Sequence, residues 1–271
     1  MRKIIYLICS FFAVFFVSCE SNEPGSESPT YKPFSVSNTK TVIFSPGNLQ
    51  YHPVNNEWRF APSQLDYIGY ENKNISSTYN GWIDLFGWGT GKTPTIASKN
   101  NDDYTTFVDW GINKIGNESP NTWRTLTMQE VEYIINVRTN ASNLMGVAQV
   151  DTIVGLVLLP DNWTCPNGII FKPGFNESLN ALGRKYYGEH QTFSLSDWKK
   201  LEESGAVFLP AAGDRYKTGI SSVQYYGNYH VTTEYNTIST YNLFFSSQKA
   251  ALYYGYRVDG LSVRLVRDFK E

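Results

Sequence analysis

Residues 123–138 read WRTLTMQEVEYIINVR, the one stretch whose local chemistry dictates a structure almost unaided. Thr127 and Glu130 stand in the S/T-x-x-E spacing of a capping box. The threonine hydroxyl accepts from the amide three residues on and the glutamate carboxylate reaches back to the threonine amide, so two orphan donors at a helix start are satisfied together. Behind this cap Val131, Ile134, Ile135 and Arg138 recur at helical spacing, which turns one face inward and leaves Gln129, Glu132 and Asn136 toward water. Trp123, Leu126 and Met128 can staple the incoming chain to that face. The stretch predicts a buried helix entered from a tight corner.

Upstream of it the pattern is β. FSVS, TVIFS and NLQYH run from Phe34, Pro53-Val54-Asn55-Asn56 is a turn, and EWRFA follows, which together predict a hairpin. In it Leu49 and Tyr51 would share one face, Gln50 and His52 the other. GWIDLFGWGT (81–90) and TFVDWGIN (106–113) each hold Asp, Trp and Gly within a few residues. Trp82, Trp88 and Trp110 on these loops are candidate platforms for sugar rings or partner side chains; the competing reading, plugs that fill the core from irregular backbone, is favoured because Trp is highly buried on average. The segment 87–93 imitates a phosphate loop, but the Walker spacing needs glycine where Phe86 stands, so a glycine-rich surface turn is expected. Asn100 to Asp103 offers oxygen atoms of the kind calcium accepts; it lacks EF-hand spacing and reads as a solvated loop.

Downstream, GLVLLP (155–160) is a short continuous apolar run, hence a strand buried on both faces. A second helix is expected over 194–203, capped by Ser194 or Ser196, with Leu195, Trp198 and Leu201 inward and Gly205 closing it. Strands follow at 206–210, 225–229, 241–245, 251–257 and 261–267. In the last, Leu261, Val263 and Leu265 would face one way and Ser262 and Arg264 the other. Tyr225, Tyr226 and Tyr229 join the three tryptophans as candidate ligand-binding residues.

Three blocks, the pattern Trp-Arg-x-Leu-Thr-x-x-Glu-x-Glu-Tyr at 123–133, GAVFLPAAGDR at 205–215 and GLSVRLVRD at 260–268, resemble the sulfatase-modifying-factor superfamily. More particularly they resemble its non-enzymatic relatives, the FISUMP or "major paralogous domain" family. FSPGNLQYH and WRFA resemble a further block of longer members. The resemblance implies a C-type-lectin-like α+β fold, mostly antiparallel strands with two main helices, displayed outside the cell; it implies no activity. The chain departs from the family at Tyr229-His230-Val231-Thr232-Thr233, where many relatives carry a Tyr-Trp-Ser-Ser-type segment. It also lacks the cysteine pair of the enzymatic relatives, which removes the formylglycine-generating reaction.

At the amino terminus, Arg2 and Lys3 precede an apolar run from Ile4 to Val17 and then Ser18-Cys19. This resembles a bacterial lipoprotein signal, with Phe16 in place of the usual leucine. Residues 1–18 are expected to be the signal peptide and Cys19 the lipidated residue, the rivals being an ordinary signal peptide or a membrane helix. Residues 19–33, acidic and rich in Ser and Pro, read as a tether. Residues 34–271 would form one lectin-like domain, with a β-rich portion (34–110) and a FISUMP-like core (111–271). The expected address is the outer membrane, reached through the lipid anchor, with the domain at the cell surface. Asp151-Thr152-Ile153 resembles a short O-glycosylation acceptor of some bacterial envelopes.

A net charge of −2 with no basic run argues against nucleic acid. Cys9 leaves with the signal and Cys19 carries lipid, so Cys165 stands alone in the mature chain without a disulfide framework. His52, His190 and His230 lie far apart with no metal-binding spacing, and no G-x-S-x-G elbow occurs. Asp84, Asp109, Glu130 and Glu132 could pair for glycoside cleavage only at a suitable separation. No catalytic residue, metal or cofactor is assigned. The expectation is a binding module for a glycan or a surface protein, with a structural protein and a hydrolase as alternatives.

Overall fold

The computed structural model describes residues 32–175, 177–179, 185–187 and 191–270. The segment read as a signal peptide, Cys19, nearly all of the segment read as a tether, and His190 lie outside the described residues. Lys32 and Pro33, assigned to the tether, are already held. The Pro33 carbonyl accepts from the Asp161 amide at 3.4 Å, and Lys32 packs on Gly205.

In chain order the elements are β1 (Phe34–Ser35), β2 (Thr41–Phe44), β3 (Leu49–His52), β4 (Glu57–Phe60), α1 (Met128–Glu132), β5 (Met145–Val150), β6 (Ile153–Leu158), β7 (Glu177–Leu179), β8 (Lys185–Tyr187), β9 (Gln191–Phe193), α2 (Leu195–Glu203), β10 (Val207–Pro210), β11 (Asp214–Tyr216), β12 (Gly219–Ser221), β13 (Gly227–Glu234), β14 (Ser239–Ser246), β15 (Lys249–Tyr256) and β16 (Val266–Phe269). The class is α+β and strand-rich. Among the described residues every strand pair is antiparallel except β5 with β9, and the main sheets run β10-β6-β5-β9, β13-β14-β15 and β1-β2-β16.

The capping box forms as its residues dictate. Thr127 Oγ1 accepts from the Glu130 amide at 3.2 Å, and Glu130 Oε2 accepts from the Thr127 amide at 2.9 Å. Arg124 clamps the Glu130 carboxylate with two bonds of 2.8 Å and reaches Asp268 on β16 at 2.7 Å, tying the helix start to the last strand. The α-helical part is only five residues long, however, and continues as a π-turn over Tyr133–Val137. Val131, Ile134, Ile135 and Arg138 are buried as the spacing requires. Leu126 and Met128 pack with them in one apolar cluster, whereas Trp123 belongs to a second cluster built by the N-terminal half. The staple thus joins two cores.

Several strands are more deeply covered than alternation predicts. All four residues of β3 are buried, Gln50 and His52 included, because Ile83 pairs with Tyr51 and the 261–265 segment runs alongside. Residues 261–265 are likewise buried on both sides and held by single bridges, with regular pairing only from Val266. In α2, Ser194 caps as expected and Trp198 and Leu201 are buried, but Leu195 is exposed. It stands in the first turn and opens on a surface cleft. Residues 87–91 also correct a surface turn to a buried one. Added Cβ atoms would fall 2.3 Å from the Tyr104 ring at Gly87 and 2.4 Å from the Asp109 carbonyl at Gly91, so glycine lets this backbone sink.

Candidate functional site

Three of the six aromatic candidates are core residues. Trp88 donates its indole N–H to the Val231 carbonyl at 3.0 Å, and the Arg257 guanidinium covers its ring at 4.6 Å. Trp110, fully buried, is walled in by Phe86, Phe107 and His230. Tyr229 donates its hydroxyl to the Pro210 carbonyl at 2.9 Å and accepts from Asn48 at 3.1 Å. As open platforms these three are corrected to plugs: irregular backbone leaves voids and large rings fill them, Trp88 and Tyr229 with their polar tips on carbonyls, Trp110 with an indole N–H that has no partner among the described residues. Trp82 is half-buried, with the Arg59 guanidinium 3.6 Å from one face and His52 against it edge-on. Tyr225 is exposed, and Tyr226 is half-buried beside Phe244.

The groups that sequence left free for chemistry are mostly engaged in structure. Asp109 accepts from Gly111 and Thr125, Glu130 belongs to the capping box, and Glu132 accepts from Asn136 at 3.0 Å. His230 is buried and its Nε2 lies 2.6 Å from the Phe86 carbonyl. A carbonyl can only accept, so Nε2 carries the proton. Nδ1 has no partner among the described residues. Protonating it would create a buried, unpaired N–H, in accord with a pKa pushed down to about 4, chiefly by burial. Among the described residues no three His, Cys, Asp or Glu side chains gather as metal ligands. Asn100 caps a single 3-10 turn over Asn101–Tyr104, its side chain accepting from the Asp102 amide.

Asp84 has a different task. Its carboxylate accepts from Asn72 Nδ2 and the Ile68 amide, both at 2.8 Å, while Asn72 Oδ1 accepts from the amides of Asp84 and Leu85. Burial pushes its pKa up to about 6 against these bonds. The Asp84–Asn72 clamp fixes the loop 67–72, and that loop forms one wall of an open cleft of about 790 Å³.

The other walls come from distant sequence: the β5–β6 turn with Asp151 and Thr152, Leu195 at the head of α2, and Val223-Gln224 before β13. Gln224 is the keystone. It donates to the Tyr67 hydroxyl at 2.7 Å and accepts from the Val154 amide at 2.7 Å. Its backbone is left-handed (φ 69°), as are Ser222 (φ 60°) and Asp151 (φ 53°), conformations that non-glycine residues adopt rarely and that concentrate at functional sites. Tyr70 projects into solvent at the rim, with Asp66 and exposed Thr152 near. The cleft therefore combines aromatic rings with amide, hydroxyl and carboxylate groups at a volume suited to a small polar ligand. Sequence reading missed Asp66, Tyr67, Tyr70 and Gln224; only the Asp151-Thr152-Ile153 motif had marked this place.

A second exposed aromatic surface lies on β13–β15. Tyr235, Tyr254 and Tyr253 stack nearly parallel, with centroids 4.4 and 5.4 Å apart and interplanar angles of 11°, and Phe244 and Tyr226 extend the strip. Here ring faces are spent on one another, whereas Tyr67 and Tyr70 in the cleft are not stacked together. Comparison of the chain with protein-family models, with curated proteins and with solved structures finds no match in any of the three.

Proposed function

We propose that this chain is a non-catalytic binding module of the bacterial envelope, anchored to the outer membrane by lipid on Cys19 and displayed at the surface on a C-type-lectin-like, FISUMP-type body. Its ligand is a glycan, received in the cleft between Tyr67, Tyr70, Asp151 and Gln224. The observation that carries this reading is the cleft itself: rings beside hydrogen-bonded polar groups, built from three loops and the head of α2, with the Asp84–Asn72 clamp behind one wall. A pyranose has apolar C–H faces and a rim of hydroxyls, and it needs both kinds of partner at once. The sequence blocks that resemble the FISUMP family, in their order along the chain, support the fold reading, and the strand-rich α+β body agrees with it at the coarser level.

A glycan array followed by calorimetric titration of the best hit tests the proposal. Tyr70→Ala is expected to weaken that sugar by about ten-fold or more, with the thermal midpoint unchanged because the ring is exposed. A second reading, a structural surface protein without dedicated ligand, is favoured by the burial of Trp88, Trp110 and Tyr229. An array with no binder, or a hit that is indifferent to Tyr70→Ala, decides against the cleft.

A further inference from the structure

The strand β15 is the outer strand of its sheet, paired to β14 on one side and to nothing on the other among the described residues. The parity of its backbone is fixed by two bonds. Arg257 donates its amide to the Ile238 carbonyl at 3.1 Å, whereas the Tyr256 amide points away and is taken by Asp259 Oδ2 at 3.0 Å. In an antiparallel ladder inward and outward residues alternate, so Lys249, Ala251, Tyr253 and Gly255 bond to β14. Ala250, Leu252 and Tyr254 turn their N–H and C=O groups outward. An eight-residue edge without proline, charged only at its first residue, is a template for another strand.

We infer that the occupant of this edge is the β15 strand of a second copy of the chain, paired antiparallel about a two-fold axis at Leu252. Only outward residues can exchange hydrogen bonds, so the symmetric register places Leu252 opposite Leu252 and Ala250 opposite Tyr254. On the other face the same register places Ala251 opposite Tyr253 and Lys249 opposite Gly255. Large side chains thus meet small ones at every position off the axis.

Charge complementarity selects the copy over an arbitrary strand. An atom at the Cβ position of Gly255 would lie 3.2 Å from Asp259 Oδ2, so the partner's lysine, crossing over that bare glycine, arrives beside the carboxylate. The contact occurs twice, once at each end. The stacked Tyr253 and Tyr254, both about half exposed, then fall at the centre of a six-stranded sheet, where rigid aromatic rings contribute most to an interface. This pairing is independent of the cleft reading, since none of its residues lines the cleft.

Sedimentation equilibrium of the full chain tests it, with hydrogen exchange read on the same sample. The chain is expected to dimerise reversibly. Leu252→Lys, which sets two like charges on the axis, and Lys249→Glu should each weaken the dimer about ten-fold or more. Lys249→Glu combined with Asp259→Lys should restore it to within about threefold. The amides of Ala250, Leu252 and Tyr254 should exchange slowly in the dimer and fast on dilution, while those of Ala251 and Tyr253 stay slow in both. This last readout needs no variant and so stands even where a substitution unfolds the protein. A chain monomeric at ~100 μM, a dimer indifferent to both single substitutions, or outward amides already slow in the monomer would each overturn the inference.

Discussion

Two aromatic-rich regions of this molecule treat their rings in opposite ways. Between Trp58 and Trp123 the backbone is largely irregular, and Trp58, Phe86, Trp88, Trp110 and Trp123 are all buried. On β13–β15 the backbone is mostly regular, yet Tyr253, Tyr254 and Tyr256 stand about half exposed, and Tyr235, just past the end of β13, stacks on Tyr254 from the connection to β14. Regular strands satisfy their own polar groups and need no filling on an open side, so rings can line an edge. Coil leaves gaps between loops that only large side chains close, and glycines such as Gly87 let the loops approach until those gaps match a ring. The irregular region uses tryptophans as plugs and the sheet sets tyrosines on its open side, while Tyr229 and Phe245 of the same sheet turn inward to the core.

The largest effect expected from this contrast is at Trp110. Truncating a fully buried indole removes its apolar burial and leaves a cavity among Phe86, Phe107 and His230, so Trp110→Ala should cost about 3–5 kcal/mol in denaturant unfolding. A loss below about 1 kcal/mol, the range of surface positions, would erase the distinction between the two regions.

His230, stacked on Trp110 at 5.4 Å, sharpens the contrast through pH. Its folded-state pKa of about 4 lies below the ordinary 6.5, so the unfolded chain takes up the proton first as pH falls. The stability contributed by neutral His230 is complete above pH 6.5 and drains away down to pH 4, by about 3 kcal/mol. Asp84 and Asp259, raised to about 6 mainly by burial, act with the opposite sign between pH 6 and 3.8. The difference between the native chain and His230→Gln therefore isolates the histidine. The advantage of the native chain over that variant should shrink by about 3 kcal/mol between pH 7 and 4. A constant difference would show that the ring is not held neutral.

How much of this was legible in the sequence divides along the same line. The Thr127–Glu130 capping box, the β3–β4 hairpin and the apolar run of β6 could be read directly, because each rests on residues within a few positions of one another. The π-turn after Glu132 could not, since its inward residues share the spacing of an ordinary helix. Whether Trp88 and Trp110 were plugs or platforms depended on cover from Arg257 and His230, more than a hundred residues away. The cleft was invisible for the same reason: Tyr67, Asp151, Leu195 and Gln224 meet only in three dimensions. The tyrosines of β15 were plain in the sequence, but which strand forms the edge of a sheet is a property of topology.

The smallest effect lies on the exposed strip and is the most discriminating. Tyr235 and Tyr254 stack at 4.4 Å with both rings about half in water, so each single alanine substitution removes little burial. What remains is the pair term, which for aromatic stacks is about 0.5–1.5 kcal/mol and belongs at the lower end where water covers the outer faces. A double-mutant cycle of Tyr235→Ala and Tyr254→Ala, at a concentration dilute enough to keep the chain monomeric, should give a coupling near 0.5 kcal/mol. Trp110 serves as the reference, since its cost comes from a cavity and not from one neighbour. A coupling above about 2 kcal/mol would mean that the strip is part of the core despite its exposure. A coupling of zero would mean that the three rings adopt their stack only when something, a second edge strand first of all, lies across them.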